Sequence, residues 1–566
     1  HGLEALKCFD RMINEGFSPD EVTFVSILKA CASTRAIDKG IQVHDEIVNR
    51  GVLNKNIVLG TALVDMYMKC GLLVKARQVL EQLVVRDVVL WSVLIAGYSQ
   101  YEQFNDALNC FEQMRSEGFY PDAITFVFVL KACGNIGAIA KGRLIHDEVT
   151  SMGFLEENVE LGTALVDMYA KCGVLVKAYQ VLKALPHRDV VSWNALIAGC
   201  NQYGKARDAL ECFGKMQGDG VSPDAVTFTC ILKACKTIEA IDNGEKIYDE
   251  IVTRGLLDKN VVLGTALVDL FAKCGLLVKA QSLHDSVCAQ SVGSWNALIS
   301  GYVQGGQDVK AFNCFEMMQC KGFVPDLVTF ICILKACGNT GAIEKGKEIH
   351  NEIHNMGLLE KSNVIGSALV DMYTKCNNLS KAQQVLEELP FQEIASWNTL
   401  IAGYVRNGKS YEALNLFRKI QRENIMTPNA ITFLSVLCAC CHLGRWQEAE
   451  LHFREMTREY GITPELEHHS CMIVVYGLAG HLNKAMSVIE AMPCQDFPTV
   501  WLALLGACRK WGNVELGRLA FDQAIQLDSS CAAAYVFMAN IFTAAGMQED
   551  AERVEAMEFK YARSSR

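Results

Sequence analysis

Between Val159 and Asp189 the apolar residues fall into two helical stripes. Ala164, Leu165, Met168 and Tyr169 recur at i, i+1, i+4 and i+5, and the run ends at Lys171-Cys172-Gly173, where glycine can take the left-handed conformation that closes a helix. Leu175, Ala178, Val181, Leu182 and Leu185 make a second stripe, which stops at Pro186. The pattern predicts two short helices joined by a tight turn. A hairpin this short leaves an apolar face uncovered, so it must stack on neighbours of the same kind.

The neighbours are in the sequence. Trp91, Trp193, Trp295 and Trp397 are each 102 residues apart, and the same step relates Pro19-Asp20, Pro121-Asp122, Pro223-Asp224 and Pro325-Asp326. It also relates Cys31, Cys133, Cys235 and Cys337, and Cys70, Cys172, Cys274 and Cys376. Within one period three unequal units follow one another, Val88 to Asp122, Ala123 to Asn158 and Val159 to Asp189, with lengths 35, 36 and 31. Each reads as two helices. Repetition at this spacing predicts an all-α chain, a right-handed α-solenoid of helix-turn-helix repeats with one concave surface. The expected divisions are a truncated first repeat over 1–20 with only its second helix, a repeat array over 21–496, and a distinct terminal region over 497–566.

Composition narrows the picture. With 51% hydrophobic residues, 21% charged residues and only 10 prolines, the chain has apolar surface for a continuous core and little material for disordered linkers. A net charge of −11 argues against a general polyanion binder, so any nucleic-acid site must be a local basic stripe. The 24 cysteines are diluted over a long chain and recur at helix positions, which fits a reducing compartment better than a disulfide scaffold. No apolar run approaches the roughly 18 residues of a membrane span. The start, His1-Gly-Leu-Glu-Ala-Leu, has no signal or transit character and begins inside a helix pattern. It reads as a chain without its natural beginning, so localisation is not legible there.

Tetratricopeptide and pentatricopeptide repeats both have this period, and particular residues choose between them. Val190-Val-Ser-Trp-Asn-Ala-Leu-Ile-Ala-Gly, Ala209-Leu-Glu-Cys-Phe-Gly-Lys-Met and Gly220-Val-Ser-Pro-Asp224 resemble the pentatricopeptide pattern almost position for position. Units of 35, 36 and 31 residues in that order resemble its plant PLS subclass of standard, long and short repeats. Leu466 to Asp496 is similar to that subclass's final short repeat. Phe497 to Ser530, with Trp501-Leu-Ala-Leu-Leu-Gly-Ala-Cys, resembles the first of its paired E motifs, and the stretch from Cys531 resembles the second.

The resemblance implies single-stranded RNA as the partner, with one base read by the fifth residue of a unit's first helix and the last residue of the unit. Here those pairs are Thr61/Asp87, Ser92/Asp122, Thr163/Asp189, Asn194/Asp224, Thr265/Ser291, Asn296/Asp326, Ser367/Glu393, Asn398/Asn429 and Ser470/Asp496. The plain alternative is that such residues cap helices and that Pro-Asp is only a turn. It leaves unexplained why long units carry Val127 or Ile331 at the fifth position, where the family seldom reads a base. By the family's code a small hydroxyl with Asp favours guanine, Asn with Asp favours uracil, and Asn with Asn favours pyrimidines. Thr265/Ser291 and Ser367/Glu393 match no defined pair, and Asn398 to Asn429 holds one residue more than the other standard units.

Lys69, Lys171, Lys273 and Lys375 recur in the short units and Lys29, Lys131, Lys233 and Lys335 in the long ones. Both rows can supply the basic stripe, the short-unit row more readily, although a lysine near a helix C-terminus also complements the dipole. Members of the subclass often end in a zinc deaminase domain with His-x-Glu and Pro-Cys-x-x-Cys motifs. His44-Asp-Glu46, His146-Asp-Glu148 and His350-Asn-Glu352 occupy one slot of the long unit and so read as repeat consensus, and Cys438-Ala-Cys-Cys441 lacks the proline. The expectation is therefore a chain without catalytic residues, metal or cofactor. What the resemblance implies is a site-recognition factor for organellar C-to-U RNA editing, in a mitochondrion or chloroplast, with a deaminase-bearing protein in trans and editing accessory factors as partners. A tetratricopeptide-like protein scaffold and an RNA-stabilising or splicing factor are the alternatives.

Overall fold

A computed structural model describes residues 1–566 except 54–55, 258–259, 287–289, 391, 424, 495 and 565–566. It is all α. Two compact units divide the chain, His1–Ser294 and Trp295–Arg566. In the first, one full period runs Val88–Gln100 and Phe104–Ser116, then Ala123–Ile136 and Ile139–Ser151, then Val159–Lys171 and Leu175–Ala184, with a single turn at Phe154–Glu157. The two predicted helices of the short unit thus lie where the stripes put them. In the second unit the same order recurs through Leu327–Thr340, Ile343–Asn355, Asn363–Lys375 and Leu379–Glu388. Two further hairpins close that unit, Pro498–Trp511 with Val514–Leu527 and Ala532–Ala544 with Gln548–Ser564.

Local chemistry sets the helix ends. Asp122, Asp224 and Asp326 sit in extended backbone and accept a hydrogen bond from the N–H three residues on, satisfying a donor with no partner inside the helix. At the other end of these helices the chain turns through the left-handed region, at Gly137 (φ 73°) and Gly341 (φ 70°). Glu239 takes the same conformation at φ 53° without glycine's freedom.

First helices pack on first helices. Val159–Lys171 lies between Ala123–Ile136 and Val190–Gln202 in the first unit, and Asn363–Lys375 lies between Leu327–Thr340 and Ile394–Arg406 in the second. The approach is close at Gly199, where a Cβ would come within 2.6 Å of the Cβ and 3.2 Å of the Cα of Ala170. Trp91, Trp193, Trp295 and Trp397 are buried and fill the hairpins. The His-x-Glu histidines belong to this packing: His146 Nδ1 meets the Tyr169 hydroxyl at 2.9 Å and His350 Nδ1 meets Tyr373 at 2.9 Å. Where Tyr248 replaces the histidine, Phe271 replaces the tyrosine and the rings meet edge to face. Burial pushes the imidazoles of His44, His146 and His350 below the usual histidine range. The repeated cysteines are core residues too, and burial pushes the thiols of Cys133 and Cys235 up to about 11 and that of Cys337 up to about 12. Among the described residues no helix is long and apolar enough to cross a membrane.

The opening helix Gly2–Asn14 packs mainly on Glu21–Thr34, with Lys39 of the following helix reaching Asp10 and Phe9, whereas Val190–Gln202 has first-helix neighbours on both sides. Hydrogen exchange should therefore be fast over residues 1–20 and slow over Val190–Gln202. Equal protection of the two segments would contradict the nearest-neighbour picture.

Candidate nucleic-acid interface

Because first helices lie side by side, the fifth residue of one faces the residue that opens the next. That opening residue is the last residue of the preceding unit and the N-cap of the following helix at once. Asn194 Nδ2 donates to Asp224 Oδ1 at 3.0 Å, Asn296 Nδ2 to Asp326 Oδ1 at 2.9 Å, and Asn398 Nδ2 to Asn429 Oδ1 at 3.0 Å. The extra residue before Asn429 leaves this geometry unchanged. Ser92 Oγ lies 3.4 Å from Asp122 Oδ1. Capping uses the same oxygen: Thr227 N–H donates to Asp224 Oδ1 at 2.8 Å. Burial would raise the Asp224 carboxyl, but the bonds from Thr227 and Asn194 outweigh it and hold the group below the usual carboxylate range. The capping alternative is thus correct for the last residue of each standard unit and does not account for the fifth, which lies mid-helix.

The short units are built more loosely. Thr265 and Ser291 hydroxyls meet at 3.1 Å. Thr61 Oγ1 donates back to the Ile57 carbonyl, while Asp87 caps at Leu90 N–H, yet both line one cavity of about 410 Å³ with Val58, Val89 and Lys29. Thr163 Oγ1 is buried without a partner among the described residues, and Asp189 caps Ser192 N–H. Ser367 bonds Ser396 Oγ at 2.6 Å, and the Glu393 carboxylate is taken by Asn363 Nδ2 at 3.0 Å. Ser470 Oγ donates to the Leu466 carbonyl, and Asp496 accepts from the Cys494 thiol at 3.4 Å. Among the described residues no bond joins those two, and Phe497, not Asp496, is the N-cap of the helix that starts at Pro498.

Two further sets of residues recur on the first helices. The second residue of most first helices is an exposed β-branched residue: Val58, Val89, Ile124, Val191, Val226, Val262, Val328, Val364 and Ile431 are all between 52% and 63% exposed. Sequence reasoning did not single them out. Their signal was an apolar residue, repeated one step into each helix, where amphipathic patterning calls for a polar one. The lysines divide differently from the sequence expectation. Lys69, Lys171 and Lys375 each pair with the aspartate four residues earlier, at 2.8, 2.8 and 2.7 Å. Lys273 is exposed, and its neighbour Asp269 pairs with Lys236. Lys29, Lys131, Lys233 and Lys335 are exposed and make no ion pair among the described residues. The long-unit row, together with Lys273, therefore carries the uncompensated charge.

Residues 86–135, 188–237, 290–339 and 392–442 match the PPR repeat family, and 22–52, 61–88, 431–460 and 467–497 match the PPR repeat. A mitochondrial pentatricopeptide repeat-containing protein of Arabidopsis thaliana is 31% identical over 553 residues, which is 98% of this chain and 79% of the relative. The chain belongs to the pentatricopeptide repeat family. A chloroplastic member from the same plant is 33% identical, covering 97% of this chain and 68% of the relative. Among solved structures, pentatricopeptide repeat protein PPR10 in complex with an 18-nt psaJ RNA element matches at a TM-score of 0.59 and 18% identity, over 97% of this chain and 86% of that one. A second crystal structure, of PPR10 from maize, matches at a TM-score of 0.58 and 17% identity, over 100% of this chain and 93% of that one. This pentatricopeptide chain therefore has the α-solenoid fold that its period predicts.

Proposed function

We propose that this pentatricopeptide chain binds single-stranded RNA and reads its sequence through the residues at the fifth and last positions of its standard and short units. The carrying observation is the Asn194/Asp224 arrangement, repeated at Asn296/Asp326 and Asn398/Asn429, which holds a mid-helix polar residue against the N-cap of the next first helix, beside exposed β-branched side chains. An amide so held keeps a second N–H and a carbonyl lone pair for a base edge, and flanking Val191 and Val226 offer apolar surface to the base faces. A fold neighbour bound to an RNA element supports the reading.

In the finer reading, the chain is a binding protein that specifies sites for C-to-U editing in a mitochondrion or chloroplast, with a deaminase supplied in trans. The PLS-like order of units and the E-like hairpins over 497–566 motivate that part, and mitochondrial and chloroplastic relatives favour an organelle. Ser470/Asp496 would then align with the nucleotide that sets the register to the edited cytidine.

Titration with single-stranded RNA over a range of salt tests the core of the proposal. Affinity should fall linearly in log–log form, and Lys131→Ala should reduce the magnitude of the slope by about 0.7. Lys171→Ala should reduce it less, because its charge is already paired with Asp167. A salt-independent affinity, or no binding, would favour a protein-scaffold role instead.

A further inference from the structure

A third side chain enters each standard-unit pair. The third residue of the long unit's first helix is Thr125, Thr227, Thr329 or Thr432, and every one of them is fully buried. Thr227 Oγ1 donates to Asn194 Oδ1 at 2.6 Å, Thr329 Oγ1 to Asn296 Oδ1 at 2.6 Å, and Thr432 Oγ1 to Asn398 Oδ1 at 2.7 Å. At Ser92 the hydroxyls of Ser92 and Thr125 meet at 2.6 Å.

The chemistry dictates one orientation. A carboxylate such as Asp224 only accepts, so the Asn194 amide must turn its nitrogen toward Asp224 and its oxygen away. Thr227 Oγ1 lies 2.6 Å from that oxygen and 2.9 Å from Asp224 Oδ1, and its one proton serves the shorter contact. Turned over, the amide would set two acceptors against each other at Asp224, while its nitrogen would donate to the Thr227 hydroxyl, whose proton would pass to Asp224 Oδ1 2.9 Å away. Asp224 therefore sets the orientation and Thr227 holds the amide in it, and the two together fix which of its groups remain free for a base.

We propose that the third residue of each long unit is a positioning residue for base recognition by the unit before it, a third determinant of specificity beside the fifth and last residues. This rests on the reading that those pairs contact bases. It also ranks the positions. Ser92, Asn194, Asn296 and Asn398 are all pinned, and among the short units Ser367 is pinned by Ser396. Thr61 is followed at the corresponding place by Leu90, and at Thr163 the Ser192 hydroxyl turns back to the Asp189 carbonyl at 2.9 Å. Discrimination should be sharp at the first group and weak at Thr61 and Thr163.

Selection from a randomised RNA library, with the full chain and three variants, decides the matter. Thr227→Val should keep overall binding but lower base preference at the nucleotide aligned with Asn194 by roughly three- to tenfold, the worth of one hydrogen bond. Thr227→Ser should restore the preference. Thr23→Val removes the corresponding cap hydroxyl, whose partner is Asp20, but faces no fifth residue of an earlier unit in this chain, so its motif should equal the parent's. A parent motif retained unchanged by Thr227→Val would overturn the inference and leave pairwise reading intact. Uniform weakening by Thr227→Val and Thr23→Val alike, with base preferences preserved, would assign the threonine to capping and overturn it too. No base preference in the parent at any position would instead defeat the RNA-reading proposal itself.

Discussion

Trp193→Ala should destabilise the hairpin that contains it by roughly 3 to 5 kcal/mol, the range for truncating a large buried aromatic. Trp193 is 2% exposed and lines one cavity with Leu182 of the preceding hairpin and Lys215 of its own. Its loss empties the layer that joins two units, and in a nearest-neighbour array the damage falls on both. The indole nitrogen has no hydrogen-bond partner among the described residues, so the side chain acts through packing alone. Trp193→Phe, which keeps an apolar ring, should cost much less. Hydrogen exchange over Val190–Gln202 in parent and variant is the suitable measurement, because a long repeat array need not unfold in one step. A loss below about 1 kcal/mol would mean that the layer repacks, contrary to the close packing argued above.

Asn194→Ser should move the preferred base at one RNA position from uracil toward guanine, with a change in discrimination of roughly 1 to 3 kcal/mol if the contact is worth as much as a good bidentate base contact. The chain already contains the site that this substitution would create. At Ser92 a short hydroxyl stands 2.6 Å from Thr125 Oγ1 and 3.4 Å from Asp122 Oδ1, with the same aspartate and threonine as at Asn194. Removing the amide opens room for a larger base while Asp224 and Thr227 keep their places. Neighbouring positions and total affinity should change little, since one contact among many is altered. Selection returning the same motif for parent and variant would refute pairwise reading.

The fold was legible because the apolar stripes, the 102-residue step and the closing turns all pointed to one answer. Glu239 was less legible, since only its alignment with Gly137 and Gly341 marks it as a left-handed position. Within the site, the aspartates were visible as caps from Pro-Asp, but their bonds to fifth-position residues depend on how closely adjacent first helices approach, which no local pattern reports. Thr227 was hidden for a similar reason: Asp-x-x-Thr reads as an ordinary capping box, and its second partner, Asn194, is 33 residues away. The lysine rows were visible, but their charge state was not. The aspartates four residues before Lys69, Lys171 and Lys375 were open to inspection, and i, i+4 pairing follows from helix geometry alone.

The shared oxygen of Asp224 ties the recognition code to the folding code. Any residue that replaces it must still begin a helix, so the second letter of each reading pair is drawn from the short list of good N-caps, Asp, Asn, Ser and Thr. Ser291 and Asn429 obey that restriction while departing from aspartate, and Glu393, which makes no cap bond, does not. For anyone rewriting the target of such a protein, the first letter can be exchanged on an already formed helix, whereas a second letter outside the capping set costs about 1 kcal/mol of helix stability before any RNA is met. Retargeting many positions at once would accumulate that loss along the array, so a designer should spend changes at the fifth residues first and hold the caps constant.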